Sequence, residues 1–138
     1  MEPGRRLIGS VPVMDVEIAF TGVPVTSLAT GRDFFERLFG RPADVEVAVD
    51  EVMWRLAESA WLYVVVDAAR AGRGLVALSV ADLPATLAEL AQRDIHPDRM
   101  EDVGGGRKAT VLDPDGNTVA IISVPVERAA GARPRATG

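Results

Sequence analysis

A strand-to-helix junction occurs twice in this chain, at one fixed spacing. Val25-Thr26-Ser27-Leu28 and Val80-Ala81-Asp82-Leu83 both run valine, small residue, N-cap residue, leucine, and they lie 55 residues apart. Serine and aspartate are favoured N-cap residues because their side-chain oxygens accept hydrogen bonds from the first N–H groups of a helix. A junction repeated at one spacing indicates two copies of the same structural unit.

The first copy is predicted to contain one strand, one helix and three further strands. The strand lies within residues 15–25, and the helix spans Leu28 to Phe39 with its apolar side chains on one face. Gly40 ends this helix, because glycine readily adopts the left-handed conformation that follows a helix. Short polar connections then predict an antiparallel meander over three extended runs, 45–49, 52–57 and 61–66. The last run is apolar on both faces, which is typical of a central strand.

The second copy follows the same order and ends in a β-hairpin. A strand over residues 75–80 precedes a helix over residues 83–93. The hairpin tip is Asp113-Pro114-Asp115-Gly116-Asn117, between two apolar runs. Proline suits the second position of a turn, glycine accepts a positive φ, and the polar side chains can bond to nearby backbone N–H groups.

These patterns predict an α+β fold in a single domain. Residues 1–14 form an N-terminal arm without hydrophobic periodicity, and residues 15–126 form the domain. Module one covers about residues 15–67 and module two about residues 74–125. Arg, Ala, Gly and Pro predominate in residues 127–138, so we expect a disordered tail there.

Composition excludes several classes of function. The formal net charge of −5, without a clustered basic face, argues against nucleic-acid binding. The chain has no cysteine and therefore no disulfide, thiolate nucleophile or sulfur metal ligand. No apolar run approaches the roughly 20 residues that span a bilayer, and the N-terminus does not resemble a signal peptide. We therefore expect a cytoplasmic protein that has no contact with membranes.

The order of these features resembles the vicinal oxygen chelate superfamily, which includes glyoxalase I, bleomycin-resistance proteins, fosfomycin-resistance enzymes and extradiol dioxygenases. The resemblance covers about residues 16–125 and rests on the two modules, the phrase Phe34-Phe35-Glu36-Arg37-Leu38-Phe39-Gly40, the junction at Val80–Leu83 and the Asp113–Asn117 turn. It implies mixed sheets that curl around a cavity, and a homodimer.

Enzymes of that superfamily hold a divalent metal at four positions, which the resemblance matches to Phe20, Tyr63, Leu75 and Ala120. Phe, Leu and Ala offer no lone pair, and a neutral phenol is a poor ligand for a hard cation. The sequence therefore predicts that the metal site is missing. Without the metal, glyoxalase or dioxygenase activity that depends on it is not expected. We expect no other cofactor and name no catalytic residue.

Strand alternation from those four positions predicts the side chains that face the cavity. The candidate ligand-binding residues are Phe20, Arg55, Trp61, Tyr63, Leu75, Ser79, Lys108 and Ala120. Aromatic rings would stack on a flat ligand, and Arg55 or Lys108 would hold an anionic group. The alternatives are that the aromatic residues pack at a core or dimer interface, that Lys108 is a solvated charge, and that the cavity is filled by its own side chains.

Other notable residues favour structural interpretations. Trp54 is expected in the core beneath the helices, and His96, the single histidine, in a surface loop rather than as a general base. Gly104-Gly105-Gly106 lacks the context of a phosphate loop and is interpreted as a connector. The acidic pairs Asp50-Glu51 and Glu101-Asp102 are interpreted as solvated turn charges.

The sequence therefore favours a metal-free protein that buries an apolar or aromatic small molecule, such as an antibiotic. Two alternatives stay open from the sequence. One is a metal-independent lyase or isomerase that uses Tyr63, Lys108 or another polar group. The other is a degenerate module retained for oligomerisation.

Overall fold

Two four-stranded sheets, each covered by one helix, make up most of the described structure. The computed structural model describes residues 7–8, 11–12 and 14–123. In chain order the elements are β1 Leu7–Ile8, β2 Val11–Pro12, β3 Ala19–Val25, α1 Leu28–Phe39, β4 Val45–Ala48, β5 Glu51–Ala57, β6 Ala60–Val66, β7 Leu75–Ser79, α2 Leu83–Gln92, β8 Arg99–Val103, β9 Gly106–Leu112 and β10 Thr118–Ser123.

The two sheets have the same topology. Sheet one has the strand order β3-β6-β5-β4, and sheet two has the order β7-β10-β9-β8. In each sheet the strand before the helix is parallel to its neighbour, and the remaining pairs are antiparallel. The fold is therefore α+β with two βαβββ modules, as the repeated junction predicts. The meander of module one and the central position of β6 are also confirmed.

Both helices begin at the predicted N-caps. The Ser27 hydroxyl accepts a hydrogen bond from the Thr30 N–H at 3.3 Å, and the Asp82 carboxylate accepts one from the Ala85 N–H at 3.0 Å. Gly40 follows α1 with a φ of 74°, and its N–H donates to the Glu36 carbonyl. Neither helix of the described residues is long and apolar enough to cross a membrane.

The core lies between the helices and the sheets, and its composition differs between the modules. In module one it is aromatic: Phe34, Phe35, Phe39 and Trp54 pack ring against ring. Trp54 is fully buried, as predicted, and its indole N–H donates to the Arg41 carbonyl at 3.0 Å. In module two the buried core is aliphatic, with residues such as Leu83, Leu90, Ile95, Val111 and Val119.

The hairpin tip between β9 and β10 joins the two modules. Asn117 is fully buried, and its side-chain amide donates to the Pro24 carbonyl at the end of β3 at 2.7 Å and to the Asp113 carboxylate at 2.8 Å. Its oxygen accepts from the N–H groups of Gly72 and Gly74 at 3.0 and 2.6 Å. We call these contacts the Asn117 network. They connect module one, the linker and module two through one side chain.

A second contact from the same turn strengthens this junction. The Asp115 carboxylate accepts hydrogen bonds from the Thr26 N–H at 3.1 Å and from its hydroxyl at 2.8 Å. The linker fits closely against the turn, because a Cβ on Gly72 would lie 2.7 Å from the Asp115 carbonyl oxygen. A Cβ on Gly74 would lie equally close, at 2.7 Å, to the Asn117 side-chain oxygen. The two glycines therefore permit an approach that a larger residue would block.

The structure differs from the sequence-based expectations in local details. The N-terminal arm includes a short antiparallel pair, β1 with β2, for which the sequence has no clear period. Gly104 and Gly105 have φ values of 43° and 83° and form a two-residue turn between β8 and β9. They are thus a hairpin turn rather than a plain connector, because positive φ at both central residues is typical of a type I′ hairpin turn. The predicted tail, 127–138, lies outside the described residues.

Candidate functional site

Each sheet has one face towards its helix and one face directed away from it. Alternate side chains, such as Val23, Val64 and Val52 in sheet one, join the core beneath the helices. We call the opposite side the open face. All of the predicted ligand-binding residues lie there, with Phe20, Arg55, Trp61 and Tyr63 on sheet one and Leu75, Ser79, Lys108 and Ala120 on sheet two.

On sheet one the strand register aligns three of these side chains in a row. Phe20 of β3 is paired with Trp61 of β6, and Trp61 is paired with Arg55 of β5. Tyr63 lies in the next row, between Gly22 and Met53. Directly paired residues on one face are neighbours across adjacent strands. The open face of sheet one is therefore an aromatic surface with a cation at one side.

The Tyr63 ring lies across β3, above Gly22. A Cβ on Gly22 would stand 2.5 Å from the ring carbon that carries the hydroxyl and 2.6 Å from the hydroxyl oxygen. Because glycine has no side chain, the ring can lie flat on the neighbouring backbone. The ring position is therefore set by a residue that the sequence alone does not single out.

We expect Gly22→Ala to displace this ring. The new methyl group needs space that the phenol occupies, but the clashing atoms lie at the end of a partly exposed side chain that can move aside. The free energy of unfolding should therefore fall by about 1 kcal/mol, at the lower end of the cost of overpacking. Chemical denaturation of the four members of a Gly22→Ala and Tyr63→Ala double-mutant cycle measures the coupling. In the Tyr63→Ala background we expect Gly22→Ala to be neutral or stabilising, since alanine is favoured over glycine within a strand. Equal costs in both backgrounds would contradict the placement of the ring.

Arg55 is directed towards the end of the β5–β6 hairpin. Its guanidinium donates to the Glu58 carbonyl at 2.8 Å, and its backbone N–H donates to the Asp44 carboxylate at 2.7 Å. Hydrogen bonds from Arg41 and from the Arg55 N–H hold the pKa of the Asp44 carboxyl below its ordinary value. The side chain of Arg55 is exposed, so it marks the rim of the face rather than its centre.

Lys108 has a partner on the open face of sheet two that the sequence analysis missed. Glu101 is paired with Lys108 across β8 and β9, with a carboxylate oxygen 3.8 Å from the ammonium nitrogen. Arg99 approaches the same carboxylate at 3.3 Å. Glu101 is thus a strand residue on the open face and not a turn charge, while Asp102 points to the other side. Only the alternation of Arg99, Met100 and Glu101 hints at this strand in the sequence, because Asp102 breaks the pattern.

The remaining predicted residues of sheet two are small or apolar. Leu75 is paired with Thr118, and Ala120 lies between Ala77 and Thr110. Ser79 is paired with Ile122, in the same row as Lys108. This face therefore changes from apolar at Leu75 to charged at Lys108. His96 is exposed in the connection after α2, 3.8 Å from Asp94, as the sequence predicts.

The positions that the resemblance equates with metal ligands are arranged alike in the two modules. Tyr63 lies two residues beyond the partner of Phe20, and Ala120 lies two residues beyond the partner of Leu75. Three of these side chains are hydrocarbons, so the set does not fit a divalent cation. Among the described residues there is also no group of three or more His, Cys, Asp or Glu side chains that could hold a metal ion.

Large apolar side chains on both open faces are exposed in the single chain. Phe20 is 55% exposed, and at the other sheet Leu75 and Leu112 are 79% and 44% exposed. Most apolar residues of this size are buried in folded proteins, and a contiguous exposed group of them is typical of a binding surface.

Comparison with known proteins identifies the family. Residues 17–121 match the Glyoxalase/Bleomycin resistance protein/Dioxygenase superfamily. A glyoxalase/bleomycin resistance protein from Catenulispora acidiphila is 32% identical with a TM-score of 0.74, over 78% of this chain and 98% of that one. A comparison with curated protein sequences finds no match.

Two further solved structures share the fold at lower identity. TnmS3, an antibiotic-binding protein from Streptomyces, is 23% identical with a TM-score of 0.62, over 78% of this chain and 94% of that one. A bleomycin-binding protein in complex with bleomycin is 19% identical with a TM-score of 0.60, over 76% and 96% of the two chains. The match over residues 17–121 and the 32% identical relative establish that the chain belongs to the glyoxalase/bleomycin resistance/dioxygenase superfamily.

Proposed function

We propose that this protein binds an apolar or aromatic small molecule on the open faces of its sheets, without a metal ion. The observation that carries the proposal is the exposed apolar surface around the row of Phe20 and Trp61. Pockets for small molecules are lined mostly by apolar and aromatic side chains with a few polar groups at defined places. The two open faces likewise combine apolar and aromatic side chains with a few charged groups.

The aromatic row supplies the contact area for a flat ligand. Phe20 and Trp61 are adjacent, and Tyr63 lies in the next row with its ring held above Gly22. Rigid aromatic side chains bind planar molecules by offset stacking and lose little conformational entropy when they do so. The ligand class that suits this surface is therefore a planar, largely apolar molecule.

The charged groups lie at the margins, where they would orient such a ligand. Arg55 stands at one end of the aromatic row, and Lys108 stands on sheet two with Glu101 as its partner. A guanidinium binds a carboxylate or phosphate by two parallel hydrogen bonds. The surface is thus suited to a planar molecule with an anionic substituent at its edge.

A second copy of the chain would complete the site. Phe20 and Leu75 are exposed by more than half of their surface in the single chain. Exposed apolar surface of this kind is stabilised when another surface covers it. In a homodimer the open faces would be covered and a ligand would be enclosed between them. Binding proteins of the same fold, including the bleomycin-binding protein and TnmS3, support small-molecule binding as the kind of function.

Thermal unfolding tests this function. We expect a planar aromatic compound with an anionic substituent to raise the unfolding temperature, since a ligand at one hundred times its Kd stabilises the native state by about 2.7 kcal/mol. Trp61→Ala should remove most of this stabilisation. Val49→Ala, which changes an exposed apolar side chain in the β4–β5 turn, is the matched control and should retain it. Light scattering on the same samples measures whether the chain is a dimer.

Two outcomes would contradict the proposal. The first is that no compound of a broad planar aromatic panel raises the unfolding temperature, or that Trp61→Ala binds as well as the unaltered protein. The second concerns the metal. Stoichiometric stabilisation by Ni²⁺ or Zn²⁺ that EDTA reverses would contradict metal-free binding.

A further inference from the structure

A cavity of about 180 Å³ lies on the helix side of sheet two, away from both open faces. It is lined by Leu83, Pro84 and Leu87 of α2 and by Met100, Arg107 and Ser123 of the sheet. Four of these side chains are apolar, and the polar groups are one guanidinium and one hydroxyl. The cavity therefore combines an apolar interior with a single cationic group.

The internal repeat identifies the corresponding place in module one. Leu87 is the fifth residue after the N-cap Asp82, and Arg32 is the fifth residue after the N-cap Ser27. Residues that are paired from strand to strand form a row across each sheet. One such row in sheet one consists of Val23, Val64, Val52 and Glu46, and the equivalent row in sheet two consists of Leu78, Ile121, Ala109 and Met100. The two rows are equivalent because Val23 and Leu78 each lie four residues before an N-cap. Met100 is therefore the counterpart of Glu46.

In module one an ion pair spans this place. The Arg32 guanidinium donates to the Glu46 carboxylate at 2.6 Å, and this hydrogen bond raises the pKa of Arg32. In module two the two counterparts are Leu87 and Met100, which cannot form such a pair. The same corner of the fold is thus a polar bridge in one module and an apolar cavity in the other.

The group at the cavity edge has the chemistry to hold an anion. Arg107 is paired with Ser123 on one side and with Asp102 on the other, and its guanidinium nitrogen lies 3.4 Å from the Asp102 carboxylate. Both partners of this ion pair are exposed, and exposed pairs contribute little to stability. A ligand carboxylate can therefore bind the guanidinium at little cost, in the bidentate manner that arginine favours.

We propose that this cavity is a second binding site, and that it takes a small amphiphilic carboxylate. The hydrocarbon part lies between Leu87 and Met100, and the carboxylate binds Arg107. The volume suits a chain or ring of about six carbons, because an apolar cavity of about 150 Å³ accommodates benzene. The proposal does not depend on the function of the open faces, since Met100 and Arg107 point to the opposite side of sheet two from Lys108.

Titration of ¹⁵N-labelled protein with hexanoate tests the site. We expect saturable shifts of amide signals at Leu87 and Met100, with a Kd on the order of 1 mM for so small a ligand. Hexan-1-ol, which has the same chain without the charge, should bind several-fold more weakly. Arg107→Ala should raise the Kd for hexanoate about tenfold and leave that for hexan-1-ol unchanged. Arg99→Ala, which removes an exposed arginine on the open face, is the matched control.

A second variant separates loss of the cavity from loss of the charge. The double substitution Leu87→Arg with Met100→Glu installs the ion pair that module one already contains, and it should abolish binding of both ligands. Absence of saturable shifts in the unaltered protein would overturn the site. Equal affinity for hexanoate and hexan-1-ol, or an unchanged hexanoate Kd in Arg107→Ala, would overturn the ligand class. Trp61→Ala should leave hexanoate binding unchanged, so failure here and failure of the open-face proposal are distinguishable.

Discussion

Asn117→Ala is expected to lower the free energy of unfolding by about 3–4 kcal/mol. The substitution leaves the Pro24 carbonyl and the N–H groups of Gly72 and Gly74 without the partner that each has in the native protein. A buried polar group without a partner costs about 1–3 kcal/mol. The total free energy of unfolding of a small domain is only about 5–15 kcal/mol. The change therefore removes a large part of the stability, and urea unfolding followed by circular dichroism measures it.

Pro114→Ala is the matched control in the same turn. Pro114 is exposed, and replacing a proline in a compatible turn costs about 1 kcal/mol or less through the entropy of the unfolded chain. A similar loss in both variants would mean that the turn matters only for its local conformation. It would contradict the conclusion that Asn117 joins the modules.

Trp54→Ala is expected to cost about 3–5 kcal/mol, as is usual when a buried aromatic side chain is removed from a core. Trp54 is fully buried, and its ring centroid lies 5.6 Å from that of Phe39 and 6.3 Å from that of Phe35. Alanine would leave a cavity among these rings and remove the hydrogen bond to the Arg41 carbonyl. The loss is measured as a shift of the urea midpoint with the slope unchanged.

The other tryptophan provides the comparison. Trp61 is only partly buried on an open face, so Trp61→Ala should change the free energy of unfolding of the single chain by about 1 kcal/mol or less. Trp54→Phe, which retains a ring but removes the indole N–H, should fall between these values. If Trp61→Ala proved as costly as Trp54→Ala at a concentration where light scattering shows a monomer, the open face would be part of a core.

The sequence predicted the fold well because its signals are local. The N-cap residues Ser27 and Asp82 and the terminating Gly40 each act within one helical turn, and the structure places all three as expected. Alternation within strands likewise determines which side chains share a face, and it placed the eight candidate residues on the open faces while missing Glu101. That these side chains bind a ligand stays a prediction.

The features that the sequence did not reveal depend on contacts between distant segments. In the sequence Asn117 cannot be told from an ordinary turn residue, because its partner Pro24 is 93 residues away. The sequence gives no reason for a glycine at position 22, because the Tyr63 ring that lies above it comes from a different strand. At the cavity beneath α2, Leu87 and Met100 occupy the positions that hold the Arg32–Glu46 ion pair in module one, and that difference has no periodic signature. Glu101 was missed for a simpler reason, because its strand was not assigned residue by residue.

The Asn117 network also imposes an order on folding. Its acceptor and donor groups at Pro24, Gly72 and Gly74 come from the first part of the chain, whereas Asn117 comes from its last hairpin. Contacts of such long sequence separation form late, because loop closure must precede them. Module one can therefore acquire its own helix and meander during synthesis, while the junction with module two has to wait for the final strand pair. Until then the backbone groups at the end of β3 and in the linker lack their native partner and bond to water instead, so a chain with an incomplete last hairpin lacks the junction between its modules.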